Sequence, residues 1–177
     1  MTERPLIVSL SFDEATFERL DALRRAHFPP ERNVLAAHLT LFHHLPGEEV
    51  SRVIERIGEV ANRSAFEITF ARLRFLGRGV AIDVDSTELV DLRAKMAASF
   101  RGVLTRQDAQ GFRPHVTIQN KVEPAVARAL FEGMSADFTP WCGTACGLAV
   151  WTYLGGPWSP VAEIPFATGA QKNRNGS

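Results

Sequence analysis

Residues 112–119 read F-R-P-H-V-T-I-Q and place a histidine inside an apolar, β-branched run directly after a proline. Such a run is typical of a buried strand, in which side chains alternate between two faces. Taken alone, this histidine is most simply explained as a core residue whose ring bonds a neighbour. The pattern of histidine, apolar residue, threonine, apolar residue recurs in A-A-H-L-T-L-F-H at residues 36–43. The repetition of the pattern requires a common explanation.

The segments around the two runs follow the same order along the chain. A β-branched strand at 6–12 leads into an amphipathic helix that opens at Asp13, and the first run follows. A strand at 80–84 leads into a helix at 87–100, and the second run follows. The same patterns predict further helices at 48–62 and 125–134, and further strands at 66–76, 138–142, 147–154 and 161–166.

This approximate repeat predicts an α+β fold with two lobes. We expect pseudo-twofold-related lobes of antiparallel sheet, helices on the outside and a central groove. The repeat units are residues 5–76 and 80–166, within a single domain at 1–168, and a flexible tail is expected at 169–177. Since ligands tend to bind in grooves between lobes, the two runs are expected to face that groove.

Composition limits the class of protein. The chain has 177 residues and is 45% hydrophobic, which is ample for a core. Lys+Arg and Asp+Glu both number 20, so no overall charge attracts it to nucleic acid or a membrane. Two cysteines, Cys142 and Cys146, provide neither a disulfide framework nor four zinc ligands. We expect a cytoplasmic protein without membrane contact, and no obligatory protein partner is evident.

Alternation along each strand places a histidine and a threonine side by side on one face. His38 and Thr40 share a face of the first strand, and His115 and Thr117 share a face of the second. Two imidazoles suit a reaction that removes one proton and donates another near neutral pH. Hydroxyl groups are neutral donors for non-bridging phosphate oxygens. A phosphodiester therefore fits these four side chains.

The same alternation adds neighbours to this face. Phe42 and His44 continue the first strand, with His43 on the opposite side, while Arg113 and Gln119 flank the second pair. Phe42 is a candidate for stacking on a base, Arg113 for binding a phosphate, and Gln119 for a further substrate contact. Core or edge positions are the interpretation that we give to the aromatic residues Trp141, Trp151, Tyr153 and Trp158.

The pair H-L-T-L and H-V-T-I, the second inside F-R-P-H-V-T-I, resembles the two-histidine phosphoesterase superfamily, which includes RNA 2′-5′ ligase-like proteins and cyclic nucleotide phosphodiesterases. The resemblance covers roughly residues 5–166. It implies a bilobal fold with a central cleft, no metal or other cofactor, and opening of a 2′,3′-cyclic phosphate on an RNA terminus or a small cyclic nucleotide. By motif, His38 would donate a proton to the leaving oxygen, His115 would activate water, and Thr40 and Thr117 would hold the phosphate.

Two alternatives remain open at this stage. One is a non-catalytic module that binds a nucleotide or a phosphorylated ligand in the same groove, although a binder needs the threonines more than two imidazoles. The other is a metal enzyme that uses histidine ligands. The sequence shows no carboxylate at a spacing that would support such a site, for example H-E-x-x-H. Its candidate ligands are His38, His43, His44 and His115.

Overall fold

The computed structural model describes residues 3–167, in which helices accompany one antiparallel sheet of seven strands. The α+β class is therefore confirmed, while the predicted tail at 169–177 lies outside the described residues. Within residues 3–167, none of the helices combines the length and hydrophobicity needed to cross a membrane. The elements are β1 (Leu6–Phe12), α1 (Glu14–His27), β2 (Leu39–Leu45), α2 (Val50–Val60), β3 (Phe66–Phe75), β4 (Val80–Asp85), α3 (Thr87–Ser99), α4 (Arg106–Ala109), β5 (His115–Gln119), α5 (Pro124–Ser135), β6 (Trp141–Tyr153) and β7 (Trp158–Pro165).

The first helix of each half begins in the same way. Asp13 precedes α1, and its carboxylate accepts a hydrogen bond from the backbone N–H of Thr16 at 3.2 Å. Ser86 precedes α3, and its hydroxyl accepts from the backbone N–H of Leu89 at 3.1 Å. Each side chain satisfies a backbone donor that the first helical turn leaves free. The predicted strand-to-helix transition is thus present in both halves.

Strand β6 joins the two halves into one sheet. The strand order is β2-β1-β6-β3-β4-β5, and β7 adds to β6. Two short strands were predicted at 138–142 and 147–154, but the structure has one continuous strand at Trp141–Tyr153. Its glycines are packing positions: a Cβ on Gly143 would lie 2.6 Å from Thr16 Cγ2, and one on Gly147 would lie 2.8 Å from the Ile164 carbonyl oxygen. The glycine in C-G-T-A-C therefore suggests the end of a strand, whereas β6 continues through this segment.

The sheet curls so that the strands at its two ends, β2 and β5, contact each other. Helix α1 packs on β5. One face of the sheet and the helices enclose a single core, which includes the fully buried Phe70, Phe100 and Leu89. The partly exposed residues of β2 and β5 lie on the opposite face, along the seam between the two strands, which we call the groove.

Each motif strand contains a β-bulge immediately after its threonine. On β2 the extra residue is Leu41, because Thr40 pairs with Ser9 and Phe42 pairs with Val8. On β5 the extra residue is Ile118, because Thr117 pairs with Ala81 and Gln119 pairs with Val80. A bulge shifts the alternation of side chains by one residue. The two bulges thus occupy equivalent positions in the two motif strands.

The bulges turn Phe42 and Gln119 into the core, which corrects their predicted placement on the groove. Phe42 is 0% exposed and meets the ring of Phe100 edge-on, with ring centroids 5.8 Å apart. Gln119 is 5% exposed, and its Oε1 has no hydrogen-bond partner among the described residues. Neither side chain is available to a substrate in this conformation. Strict period-two alternation placed them wrongly because a bulge leaves no mark in the residue pattern.

Candidate active site

The two motif histidines have matching hydrogen bonds. Nδ1 of His38 lies 2.8 Å from the backbone oxygen of Ala36, and Nδ1 of His115 lies 2.8 Å from the backbone oxygen of Arg113. A ring nitrogen that faces a carbonyl oxygen must carry the proton and donate it. Each ring therefore presents Nε2 as its free nitrogen. The local turn before each strand supplies the carbonyl, so the same short sequence positions both rings.

The environment of His38 disfavours its charged form. Burial is the largest effect on its pKa, which falls to about 4 even though the bond to Ala36 acts in the opposite direction. The positive charges of Arg24, His115 and His43 lower the pKa further. His38 is therefore neutral near pH 7 in the unliganded protein. The effect of His115 on His38 indicates that the fold has brought the two motif histidines close together.

His115 has a similar environment with one difference. Burial lowers its pKa, and the charges of Arg74 and His43 act in the same direction. Asp83 opposes them: it pairs with His115 across β4 and β5, and it forms an ion pair with Arg74. His115 thus has a carboxylate that favours its protonated form, whereas the charges that act most strongly on His38 are all positive. The two imidazoles are not electrostatically equivalent.

The threonines and Arg113 occupy accessible positions. Thr40 and Thr117 are half-buried, two residues beyond their histidines on β2 and β5. Arg113 is exposed and lines a cleft of about 390 Å³ together with Pro114 and Asp83. In the same cleft Arg72 and Arg74 form ion pairs with acidic neighbours, while the Arg113 side chain has no ion pair within residues 3–167. Contact of Arg113 with a phosphate stays a prediction.

Trp158 is a site residue that sequence reasoning missed. Its ring lies against His38, with centroids 4.6 Å apart and planes at 58°. Trp151 lies behind it at 6.1 Å and donates its Nε1–H to Ser9 Oγ at 2.8 Å. The sequence predicts core or edge positions for both tryptophans, and no local signal relates Trp158 to the histidine that precedes β2. The contact depends on the pairing of distant strands: β6 pairs with β7 and with β1, and β1 pairs with β2, the strand that follows His38.

A third histidine and a buried carboxylate lie next to the motif residues. The bulge at Leu41 turns His43 to the side of β2 that carries the motif residues, and the charge of His43 acts on both motif histidines. Asp108 in α4 accepts from His43 Nδ1 at 3.0 Å. The predicted placement of His43 on the side opposite the motif histidines is therefore wrong. Within the described residues, no group of three His, Cys, Asp or Glu side chains is arranged to hold a metal ion.

Each half also holds the motif strand of the other half through a buried arginine. Arg24 in α1 donates from Nη1 to the Thr117 carbonyl oxygen at 3.0 Å. Arg93 in α3 donates from Nε to the Leu41 carbonyl oxygen at 3.1 Å. Burial lowers the pKa of both guanidinium groups, which nevertheless stay charged at neutral pH. These bonds fix the two motif strands relative to each other.

The contact with Trp158 gives a test of the His38 environment. Trp158→Ala is expected to expose the imidazole, so that its pKa rises from about 4 toward its ordinary value of 6.5. The measurement is a pH titration of the His38 ring proton by NMR. Trp141→Ala is the matched control, since Trp141 stacks on Phe70 and is not in contact with His38. A His38 titration unchanged in Trp158→Ala would show that this ring does not cause the shift.

Three solved structures illustrate the similarity in fold. The structure of Escherichia coli LigT complexed with 3'-AMP has a TM-score of 0.63 at 17% identity and covers 93% of this chain and 99% of its own. TT0787 of Thermus thermophilus has a TM-score of 0.65 at 14% identity and covers 92% and 97%. A protein described as a phosphoesterase has a TM-score of 0.60 at 18% identity and covers 93% and 99%. These proteins share the fold of this chain.

Sequence comparison gives the family. A search of curated protein sequences finds no significant match. A family model described as the 2'-5' RNA ligase superfamily matches residues 12–157, a stretch that includes both histidine-threonine motifs. The structural neighbours agree with this match and with the two-histidine phosphoesterases that the motifs resemble. The chain belongs to the 2'-5' RNA ligase superfamily.

Proposed function

We propose that this protein is a metal-independent phosphodiesterase that opens a 2′,3′-cyclic phosphate on an RNA terminus or a small cyclic nucleotide. The observation that carries the proposal is the matched pair of imidazoles, each with Nδ1 bonded to a carbonyl and Nε2 left for a ligand. Solved structures of Escherichia coli LigT with 3'-AMP and with phosphate support a nucleotide phosphate as the ligand class. The adjacent threonine hydroxyls are suited to donate to non-bridging oxygens.

The reaction requires one proton acceptor and one proton donor. The acceptor removes a proton from water as the water oxygen bonds to phosphorus, and the donor protonates the ribose oxygen as its bond to phosphorus breaks. The unliganded protein has a low pKa at both His38 and His115, so both are ready to accept. The negative phosphate favours the charged form of a nearby imidazole. Substrate binding therefore helps to protonate the donor.

The charges around the two rings favour one assignment of roles. Asp83 favours the protonated form of His115, while the charges that act most strongly on His38 are positive. We therefore assign donation to the leaving oxygen to His115 and activation of water to His38. This assignment is the reverse of the one that the family resemblance implies. It rests on electrostatics in the unliganded protein, and a substrate with a leaving group that needs no proton tests it.

Hydrolysis of 2′,3′-cyclic AMP in the presence of EDTA tests the proposal. We expect turnover with a bell-shaped dependence of kcat/KM on pH, because the acceptor must be neutral and the donor charged. The value of kcat/KM should rise with pH through the lower pKa, which is that of His38 at about 4. It should fall through the higher one, which lies below the ordinary value of 6.5 because the pKa of His115 is also lowered.

The kcat profile should lie at higher pH than the kcat/KM profile, because the bound phosphate raises the pKa of both imidazoles. A nucleotide phosphate released only in the presence of added metal ions would contradict the proposal, as would a flat profile. Binding of 3′-AMP without turnover of 2′,3′-cyclic AMP or of an oligoribonucleotide that ends in a cyclic phosphate would instead favour the non-catalytic binding module.

A further inference from the structure

His43 is accessible from the groove and lies beside the two motif histidines. The bulge at Leu41 turns it to their side of β2, and its charge acts on both His38 and His115. Its side chain is 43% exposed, so a ligand in the groove can reach it. His44, the next residue, is also exposed, and it is not among the groups that act most strongly on the motif histidines. The two neighbouring histidines of β2 therefore differ in what they can contact.

Asp108 fixes the orientation of the His43 ring. The ring donates Nδ1–H to Asp108 Oδ1 at 3.0 Å, which leaves Nε2 as the nitrogen available to a ligand. The same carboxylate accepts from the backbone N–H groups of His43, at 2.9 Å to Oδ1, and of His44, at 2.8 Å to Oδ2. The Asp108 side chain is only 1% exposed. A buried carboxylate thus holds both the backbone and the ring of His43 in place.

Asp108 is itself held and ionised. Burial raises its pKa, but the hydrogen bonds from His43 and His44 outweigh burial and lower it. Its backbone is anchored as well, since its N–H donates to Thr105 Oγ1 at 3.3 Å and its carbonyl oxygen accepts from Arg93 Nη2. Capping the end of β2 would need only the bonds to the backbone N–H groups. The additional bond to the ring is the contact that points to a ligand at Nε2.

We propose that His43 is an anion-binding residue of this site: as an imidazolium it donates Nδ1–H to Asp108 and Nε2–H to an oxygen of a phosphate bound between His38 and His115. The identity of the groove as a phosphate site rests on the proposed function, while the placement of His43 does not. The ligand class is a phosphate mono- or diester. Asp108 acts through His43 as a positioning residue, because it holds the ring that would touch the ligand.

The test compares His43→Asn with His44→Asn. Asparagine at position 43 can still donate to Asp108 from the position of Nδ1, but it removes Nε2. Kd is measured by calorimetry at about pH 6 for inorganic phosphate and for 3′-AMP. We expect His43→Asn to raise both values by about 10-fold or more, the effect of losing a charge-assisted hydrogen bond. His44→Asn should leave them within about twofold of the wild type.

Turnover of 2′,3′-cyclic AMP separates this inference from the proposed function. If the wild type turns over the substrate, His43→Asn should raise KM in parallel with Kd and change kcat less. If the wild type is inert but His43→Asn still weakens phosphate binding relative to His44→Asn, the proposed reaction fails and the anion site stands. Equal phosphate affinity in the two variants would overturn the inference, as would a wild-type protein that does not bind phosphate.

Discussion

His38→Ala and His115→Ala are each expected to lower kcat for 2′,3′-cyclic AMP by about 10²- to 10⁴-fold, the usual contribution of a positioned general acid or base. Each substitution removes an Nε2 that the fold aims at the groove by a bond from Nδ1 to a backbone carbonyl. Binding of 3′-AMP should weaken far less than kcat, since the threonines and the other imidazoles remain. His44→Ala is the matched control, and it should retain full activity.

Bis(4-nitrophenyl) phosphate separates the two roles, because its leaving group departs without a proton. The variant that lacks the proton donor should lose much less activity on this substrate than on 2′,3′-cyclic AMP, whereas the variant that lacks the acceptor should be impaired on both. Because Asp83 favours the protonated form of His115, we expect His115→Ala to be the variant that recovers activity on bis(4-nitrophenyl) phosphate. Recovery in His38→Ala would restore the assignment that the family resemblance implies, and full activity in either variant would remove that histidine from the mechanism.

The sequence predicted the features of this site that depend on local pattern. The paired histidine-threonine strands and the helix before each follow from period-two and helical patterns that adjacent residues determine. The family follows from the resemblance of the two motifs. Even the Nδ1 contacts are local, since Ala36 and Arg113 lie two residues before their histidines. The motif was therefore sufficient to indicate the family without knowledge of the tertiary structure.

What the sequence did not predict depends on pairing between distant segments. A bulge arises from the register between two strands, so the inward turn of Phe42 and the outward turn of His43 have no local signal. Trp158 reaches His38 only because β7 adds to β6, and Asp108 reaches His43 from a short helix in a polar segment. His43 and Asp108, for example, are 65 residues apart along the chain.

The burial of two arginines could not be predicted from the sequence either. On a helical wheel Arg24 and Arg93 are ordinary polar residues of amphipathic helices, and only the tertiary structure shows them buried at 4% and 7% exposure. Both cross to the motif strand of the other half. The groove therefore depends on two residues that contribute nothing to the motif. We therefore expect that a substitution at either arginine lowers both the stability of the protein and its activity, although neither residue belongs to the motifs.

Arg93→Leu is expected to lower the free energy of unfolding by about 3 kcal/mol or more, the scale on which a buried charged hydrogen-bonding group affects stability. Leucine cannot donate, so the carbonyl oxygens of Leu41 and Asp108 lose the bonds from Nε and Nη2. The guanidinium carbon also lies 4.2 Å from the centroid of the Phe42 ring, and that contact is lost. Urea unfolding followed by circular dichroism measures the change.

Arg101→Leu makes the same chemical change at an exposed position just beyond α3, and its effect should stay within about 0.5 kcal/mol. Because Arg93 bonds both β2 and the backbone of Asp108, Arg93→Leu should also lower kcat on 2′,3′-cyclic AMP under conditions in which the protein is still folded. If Arg93→Leu unfolds at the same urea concentration as Arg101→Leu, the cross-half bond does not hold β2 in place. Loss of stability with unchanged kcat would show instead that the histidine strand keeps its position without this arginine.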